Sequence, residues 1–264
     1  MCLIAWNWQP HSSTPLLLLS NRDEFYARPA QPLHWWQSTP SQPRVLAGKD
    51  LQAGGTWLGV SSSGRLAALT NYRTPEPARN DTPSRGELVA QFLQQHMPAD
   101  AFLRQLAHTA AHYNPFNLLV FDGQRLLGLE SRSAHVLNLE PGIGAVSNAN
   151  FHTPWPKLTR LAKGLESQVA LGRADAHHLL PLLHDRTVAS DEELPQTGVP
   201  LPLERLLSAT FITSPEYGTR ACSVVAIHTT HVDFTEQGFG AQGMLGTNRQ
   251  QFALDLEDRP KPTI

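Results

Sequence analysis

The chain has 264 residues, of which 41% are hydrophobic and 17% are charged. This composition excludes a disordered chain and a coiled coil, and it predicts a globular domain with a sizeable core. A net charge of −2, without any run of Lys or Arg, argues against nucleic acid or an anionic membrane surface as a partner.

Short apolar runs separated by turn residues predict two β-hairpins in the N-terminal third of the chain. Between these hairpins, four prolines predict that residues 27–55 form an irregular excursion. The strands of the two hairpins are predicted at residues 2–8, 16–20, 56–61 and 66–72.

Helices are predicted next, and strands then return. Ser84 and Glu87 match a capping box at the start of an amphipathic helix, and a second such helix covers residues 102–110. Four meander strands follow, then two helices, a long loop and a closing hairpin. They are predicted at residues 116–121, 126–130, 135–139 and 142–147, at about 156–170 and 174–185, at 186–203, and at 221–228 with 231–235.

This order predicts an α+β fold with antiparallel sheets, since strands and helices occur in separate runs rather than in alternation. No change of composition divides the chain, and so we predict a single domain over residues 1–264. The apolar start MCLIAWNW has no basic region and is far shorter than the roughly 20 residues that span a bilayer. With only two cysteines in the chain, we expect a cytoplasmic protein without a membrane span.

Cys2 is the first candidate for chemistry. Removal of Met1 would leave a thiol and a free α-amine on one residue, so that a nucleophile would carry its own general base. The alternative is that Cys2 packs as a small hydrophobic residue in a buried strand.

Polar residues at the ends of predicted strands are further candidates. Arg22 and Asp23 follow the second strand and would lie near Cys2 if the hairpin is simple, although a solvated ion pair explains them as well. Asn71 and Asn148 end apolar runs, where an amide can donate to an oxyanion or simply form a turn.

Arg220 and Cys222 would share one face of a strand, so that Cys222 either approaches Cys2 or is buried in the core. His108 and His112 are spaced for one helix face but have no third ligand in a recognisable pattern, and so we predict no metal site. The sequence lacks a C-x-x-C-H motif, which excludes covalent c-type haem but leaves haem held without a covalent bond compatible with it.

Nine segments together resemble the NRDE family, the relatives of transport and Golgi organisation protein 2, in the order of that family. They are MCLI at the start, NRDEFYARP at 21–29, GGTWLG at 54–59, LAALTNYR at 66–73, RGELV at 85–89, FNLL at 116–119, SNA at 147–149, TPWPKL at 153–158 and YGTRACSVV at 217–225.

The resemblance implies a fold and a set of site residues. The family is similar to the N-terminal nucleophile hydrolases of the choloylglycine hydrolase and penicillin V acylase branch, which form αββα four-layer sandwiches. Those hydrolases place their Asp three residues after the Arg, whereas Asp23 here is adjacent to Arg22. The implied catalytic residues are Cys2, Arg22, Asp23, Asn71, Asn148 and Arg220, and the implied ligand-binding residues are Trp57, Tyr72 and Arg73.

Two functions follow from the resemblance. In the first, the protein is a haem or acyl-cofactor binding and trafficking protein that requires no resident cofactor. In the second, it is an N-terminal cysteine amidohydrolase in which Cys2 attacks an amide or thioester carbonyl. Both predict a small-molecule ligand, and a shared fold does not choose between them.

Overall fold

Two antiparallel β-sheets pack face to face at the centre of the molecule. The computed structural model describes residues 2–37, 39 and 42–255, and thirteen strands lie within them. In chain order the strands are β1 (Cys2–Trp8), β2 (Leu16–Phe25), β3 (Ala30–Trp35), β4 (Val45–Asp50), β5 (Leu58–Ser61), β6 (Leu66–Asn71), β7 (Phe116–Phe121), β8 (Leu126–Glu130), β9 (His135–Asn138), β10 (Gly142–Val146), β11 (Tyr217–Ile227), β12 (His231–Gly240) and β13 (Gly243–Ala253).

Each sheet is built largely from hairpins between consecutive strands. The first sheet has the spatial order β10-β1-β2-β11-β12-β13, and the second has the order β3-β4-β5-β6-β7-β8-β9. Every strand pair is antiparallel. Strand β2 is the element that joins the N-terminal hairpin to the C-terminal strands, since it pairs with both β1 and β11.

The described residues contain five helices, and four of them cover the outer faces of the sheets. The five helices are α1 (Gly86–Leu93), α2 (Ala99–Ala107), α3 (Pro156–Ala170), α4 (Ala176–Leu183) and α5 (Leu201–Leu207). Helices α1 and α2 pack on the second sheet, and α3 and α4 pack on the first. The predicted αββα four-layer architecture is therefore confirmed.

Alternation along β1 shows why the chain folds in four layers. Ile4 and Trp6 enter the core between the sheets, whereas Leu3 and Ala5 enter the core beneath α3 and α4. Because side chains alternate between the two faces of a strand, a strand in the middle of four layers is apolar at almost every position. This explains why the run MCLIAW shows no alternation of polar and apolar residues.

The predicted irregular excursion at residues 27–55 is wrong, because this segment contains β3 and β4. Strand β3 lies at the edge of the second sheet, and its pairing with β4 is interrupted between Gln31 and His34. Pro32 falls within that interruption, where a missing N–H removes no ladder hydrogen bond. Proline therefore marks an edge strand here rather than a loop.

The predicted capping box at Ser84 is also wrong. The Ser84 hydroxyl accepts a hydrogen bond from the Gly86 N–H at 3.3 Å, but the Glu87 N–H donates to the Ser84 carbonyl oxygen, and the Glu87 carboxylate accepts from the Tyr113 hydroxyl at 2.8 Å. His108 follows the last residue of α2 and His112 lies in a separate 3-10 turn, so these histidines do not share a helix.

The C-terminal region contains two elements that the sequence analysis did not predict. Helix α5 begins at Leu201, within the predicted loop, and β13 follows β12 as a further strand. Strand β13 lies at the edge of the first sheet and is exposed along most of its length. An exposed strand needs no apolar face, which is why its sequence has no strand periodicity.

Candidate active site

Cys2 lies on the inner face of the first sheet, at the end of β1. It is buried and forms part of the core between the sheets. Burial raises the pKa of the Cys2 thiol, and the charge of Asp23 acts in the same direction, whereas that of Arg22 lowers the pKa. The thiol is therefore protonated near neutral pH, and a base has to remove its proton before or during any attack.

Arg22 lies directly opposite Cys2, since these two residues pair in the register of β1 and β2. Its guanidinium carbon is 4.4 Å from the centre of the Trp57 ring, and its Nη2 is 3.5 Å from Oδ2 of Asp50. Asp50 also accepts a hydrogen bond from Nε of Arg28 at 2.6 Å. The predicted pair of Cys2 and Arg22 at one end of the sheet is present in the structure.

Asp23 is buried next to Arg22, and its Oδ1 accepts a hydrogen bond from the Thr219 hydroxyl at 2.7 Å. Burial raises the pKa of its carboxyl group, and the charge of Lys157 opposes that shift. Lys157 belongs to α3. Burial lowers the pKa of its ammonium group to about 8, and the negative charge of Asp23 opposes that shift. Both groups are buried, and the charge of each favours the charged form of the other.

Asn71 and Asn148 occupy different positions around Cys2. Asn71 ends β6 and lines the same cavity as Cys2. The amide nitrogen of Asn148 donates to the carbonyl oxygen of Asn71 at 2.8 Å and to that of Cys2 at 3.4 Å. Asn148 therefore connects the two sheets at this point, and both of its amide hydrogens have acceptors.

A cavity of about 350 Å³ opens over Cys2 at the ends of the strands, and we name it the Cys2 cavity. Its lining is mainly polar and contains four arginines, three acidic residues and four residues with a side-chain amide, of which only Asn71 ends a strand. Among the lining side chains, with Cys2 and Trp57, are Arg22, Arg28, Arg79, Arg85, Asp23, Glu24, Asp50 and Asn71.

Arg85 and Arg79 are the two arginines of the Cys2 cavity without an ion pair among the described residues, and Arg85 is the more buried of the two. It forms no ion pair with any residue that the structure describes, and its Nη1 donates to the carbonyl oxygen of Pro115 at 3.3 Å. Burial lowers the pKa of Arg85, and the charges of Cys2 and Glu24 oppose that shift. A half-buried guanidinium in this position suits an anionic group of a ligand.

Arg220 lines a second cavity of about 160 Å³ together with Arg22, Trp57 and Glu236. Its guanidinium group is held by main-chain carbonyl groups at distances of 2.8–3.1 Å; these belong to Phe25, Tyr26, Arg28 and Phe239. Arg220 thus fixes the loop after β2 and does not line the Cys2 cavity.

The three predicted ligand-binding residues are divided between cavities. Trp57 lines the Cys2 cavity, whereas Tyr72 and Arg73 line a separate cavity of about 520 Å³. Nη1 of Arg73 is 2.5 Å from Oε2 of Glu204, and both side chains are almost completely buried. The guanidinium carbon of Arg73 also lies 4.6 Å from the centre of the Trp155 ring.

Cys222 does not approach Cys2, contrary to one of the two alternatives drawn from the sequence. Cys222 is fully buried in the core beneath α3 and α4, while Cys2 is in the core between the sheets. The two thiols lie on opposite faces of the first sheet, because Cys222 pairs with Asn21 and Cys2 pairs with Arg22.

Glu236 makes the stability of the fold depend on pH. Burial raises the pKa of its carboxyl group to about 7. The hydrogen bond from the Leu33 N–H opposes this shift. In the unfolded chain the pKa of a glutamate is about 4.3. Between about pH 4.3 and pH 7 the folded chain therefore binds more protons than the unfolded chain, and the free energy of unfolding falls as pH rises. Glu236→Gln is expected to remove this fall and to stabilise the protein at pH 8 by on the order of 3 kcal/mol.

Urea unfolding at pH 5 and pH 8 measures this effect. Glu192→Gln is the matched control, since Glu192 is exposed. Equal pH dependence for Glu236→Gln and the unchanged protein would contradict the assignment.

Gly55 positions the wall of the Cys2 cavity through close backbone contact. A Cβ atom at Gly55 would lie 2.3 Å from the carbonyl carbon of Gly86, and the Thr56 N–H donates to the Gly86 oxygen at 3.1 Å. Gly55→Ala is expected to lower the free energy of unfolding by about 1–3 kcal/mol, because main chain has to move. The measurement is the urea midpoint, and Gly246→Ala, where a Cβ would meet no atom within 4 Å, should leave it unchanged. Equal midpoints for the two variants would disprove the contact.

A family model described as Transport and Golgi organisation 2 matches residues 1–241. The chain belongs to the Transport and Golgi organisation 2 family. It is 34% identical to the Transport and Golgi organization protein 2 homolog of Bos taurus, over 94% of this chain and 95% of the relative. It is 31% identical to the homolog of Homo sapiens, over 90% of this chain and 92% of that relative.

The fold of this Transport and Golgi organisation 2 protein is that of the N-terminal nucleophile hydrolases. A crystal structure of the mutant C2A conjugated bile acid hydrolase from Clostridium perfringens matches it with a TM-score of 0.52. The match covers 98% of this chain and 94% of the hydrolase at 10% sequence identity. The fold that the sequence analysis inferred from resemblance is thus confirmed, and at this identity the likeness concerns the fold alone.

The sequence analysis did not identify two charged residues near Cys2 as candidates for the site. Lys157 and Arg85 stand in the motifs TPWPKL and RGELV, which served only for recognition. A lysine after two prolines is typical of an exposed first helical turn, so the sequence carried no sign that Lys157 is buried. None of the helices in the described part of the chain has the length and apolar character needed to cross a membrane.

Proposed function

We propose that this protein is an N-terminal cysteine hydrolase that cleaves an amide or thioester bond of an acidic small molecule. The observation that carries the proposal is that Cys2 lies opposite Arg22 on the floor of a polar cavity that Asn71 also lines. The structural neighbour named as a conjugated bile acid hydrolase supports the same class of reaction.

The proposed reaction begins with the thiol of Cys2. Its sulfur attacks the substrate carbonyl carbon while the α-amine of Cys2 accepts the thiol proton, which requires Cys2 to be the first residue of the mature chain. The raised pKa of the buried thiol makes this base necessary. The carbonyl oxygen becomes an oxyanion, to which the Asn71 amide donates a hydrogen bond.

The tetrahedral intermediate then collapses and the C–N or C–S bond breaks. The leaving group takes the proton from the α-ammonium group, and an acyl thioester remains on Cys2. Water, deprotonated by the same amine, hydrolyses this thioester and restores the thiol. Asn148, whose amide hydrogens are donated to the carbonyl groups of Cys2 and Asn71, has a positioning role in this scheme.

The arginines define the class of substrate. Arg28 is neutralised in part by Asp50, whereas Arg85 forms no ion pair within the described part of the chain. We infer that Arg85 binds a carboxylate or phosphate of the substrate, since a guanidinium pairs well with either.

Acyl transfer to Cys2 is the test. Protein whose intact mass shows loss of Met1 is mixed with p-nitrophenyl esters that carry or lack a terminal carboxylate. We expect a burst of nitrophenolate, an acyl group on the peptide that contains Cys2, and faster reaction of the carboxylate ester. Cys2→Ala should abolish the adduct, and Cys222→Ala is the matched control, because Cys222 is the other cysteine of the chain and is fully buried. A stable protein without any adduct, or an adduct on Cys222, would refute the proposal.

A second candidate function is binding and trafficking of an acyl cofactor or haem in the same cavity without turnover. The arginine-rich lining favours it, because phosphates and propionates are anionic. No His, Met or Tyr is among the described residues that line the Cys2 cavity, so that only Cys2 could bind a haem iron there. Titration with haem and with an acyl cofactor separates the two functions, since a carrier binds its ligand reversibly and forms no acyl adduct on Cys2.

A further inference from the structure

Three side chains with metal-binding atoms meet at the turn between β11 and β12. His228 and His231 flank the two turn residues, and the His228 N–H donates to the His231 carbonyl oxygen at 2.8 Å. Ile227 and Val232 point into the core between the sheets. Because side chains alternate along a strand, His228, His231 and Asp233 lie on the opposite, outer face.

The distances between ligand atoms of these side chains match those around a tetrahedral metal ion. Nε2 of His228 lies 3.2 Å from Oδ2 of Asp233, and Nε2 of His231 lies 3.4 Å from the same oxygen. The three residues place ligand atoms within 4.8 Å of one another. Zinc bonds of about 2.0–2.2 Å at tetrahedral angles place neighbouring ligand atoms about 3.3–3.6 Å apart, close to the two separations observed.

The two imidazole rings are stacked in a way that presents both Nε2 atoms to one carboxylate. Their centroids are 4.1 Å apart and their planes differ by 12°. Because the lone pair of each Nε2 lies in its ring plane, these nearly parallel rings have to tilt toward each other before both can bind one divalent cation together with the carboxylate.

Each of the three residues also has a partner on its other polar atom. Nδ1 of His228 is 2.8 Å from the Thr14 hydroxyl, and Nδ1 of His231 is 3.1 Å from the Thr230 hydroxyl. The amide nitrogen of Gln251 donates to Oδ1 of Asp233 at 2.8 Å. Such outer partners fix the ring orientation and the tautomer of metal-binding histidines, and they leave Nε2 and Oδ2 for the metal.

We propose that His228, His231 and Asp233 bind a divalent transition-metal ion of the Zn²⁺ type. Two imidazoles and one carboxylate are a ligand set that zinc proteins use when a fourth position is left for water or another ligand. His228 and Asp233 also line a cavity of about 680 Å³, together with His177 of α4.

This metal site is separate from the Cys2 cavity. Thr14 lies in the turn after β1, whereas Cys2 begins β1, so the seven-residue strand separates the two sites by about 20 Å. The proposal is therefore independent of the proposed hydrolase activity. The sequence analysis did not predict this site. The three residues follow the spacing H-x-x-H-x-D across a hairpin turn, and this spacing was not recognised as a metal-binding motif.

Metal titration of the full-length chain without an affinity tag tests the proposal. After treatment with a chelator, the protein is titrated with Co²⁺, followed by its visible absorption, and with Zn²⁺ in competition with a chromophoric chelator. We expect one metal ion per chain and an absorption spectrum of tetrahedral Co²⁺. Gln251→Ala, which removes an outer partner, should weaken Zn²⁺ binding about 10–100-fold.

Ligand variants complete the test. His231→Gln and Asp233→Asn should lose the tetrahedral Co²⁺ spectrum, and His135→Gln, at an exposed position of β9, should retain it. Zn²⁺ should raise the Tm of the unchanged protein and of His135→Gln but not of His231→Gln, and the metal-free Tm values show whether each variant is folded. Absence of stoichiometric binding, or equal binding by His231→Gln and the unchanged protein, would overturn the proposal.

Discussion

Arg73→Met is expected to lower the free energy of unfolding by about 3–5 kcal/mol, because it removes the direct ion-pair partner of the buried Glu204 carboxylate. Nη1 of Arg73 and Oε2 of Glu204 are 2.5 Å apart, and the side chains are only 3% and 5% exposed. Oε1 of Glu204 also accepts a hydrogen bond from the Thr197 N–H at 3.0 Å. These contacts attach α5 and the loop before it to the end of β6, so the loss should also release α5.

Urea unfolding measures the effect, and two variants control for it. Arg205→Met, next to Glu204 on the same helix, removes an exposed ion pair with Asp191 and should change little. Arg73→Met combined with Glu204→Leu should recover much of the lost stability, since neither charge of this pair remains. The explanation is wrong if Arg73→Met is as stable as Arg205→Met.

Retention of Met1 is expected to slow acylation of Cys2 by about 10²–10⁴-fold, the usual contribution of a general base. With Met1 attached, the nitrogen of Cys2 is an amide and accepts no proton. The rate for the free terminus should follow the α-amine, with a pKa of about 7.7–8.0, and level off above it. The rate for the retained form should follow the thiol, whose pKa is raised by burial, and continue to rise at higher pH.

Two preparations that differ only in Met1, each verified by intact mass, provide this comparison. Acylation is followed on the peptide that contains Cys2, and the Cys222→Ala background removes the other thiol. Identical rates and pH profiles in the two preparations would exclude the α-amine as the base.

The parts of the site that the sequence predicts are those formed by neighbouring segments. Cys2 and Arg22 face each other because a single turn joins β1 to β2, so a hairpin inferred from two apolar runs is enough to pair them. Asp23 follows from the same hairpin. The four-layer fold was inferred from a resemblance of motifs, since strands buried on both faces leave little periodicity to interpret.

Other parts depend on contacts between distant segments, which local patterns do not encode. The pair of Arg73 and Glu204 joins residues 131 positions apart, and the Asn21 side chain donates to the carbonyl oxygen of Leu183, which lies 162 positions away. Arg220 resembled a site residue by its motif, but its guanidinium group holds main-chain carbonyl groups instead. Motif position identifies the strand end on which a residue lies, and packing decides what it contacts.

The Cys2 cavity is almost separate from the apolar layers that hold the fold together. Apart from Cys2, Trp57 and Leu69, none of the described residues that line it belongs to the three hydrophobic cores. Substitutions among the exposed lining residues, such as Arg79 and Asn80, therefore change charge and shape without removing buried apolar surface. Such positions let mutation change what the pocket binds while the apolar layers of the fold stay intact.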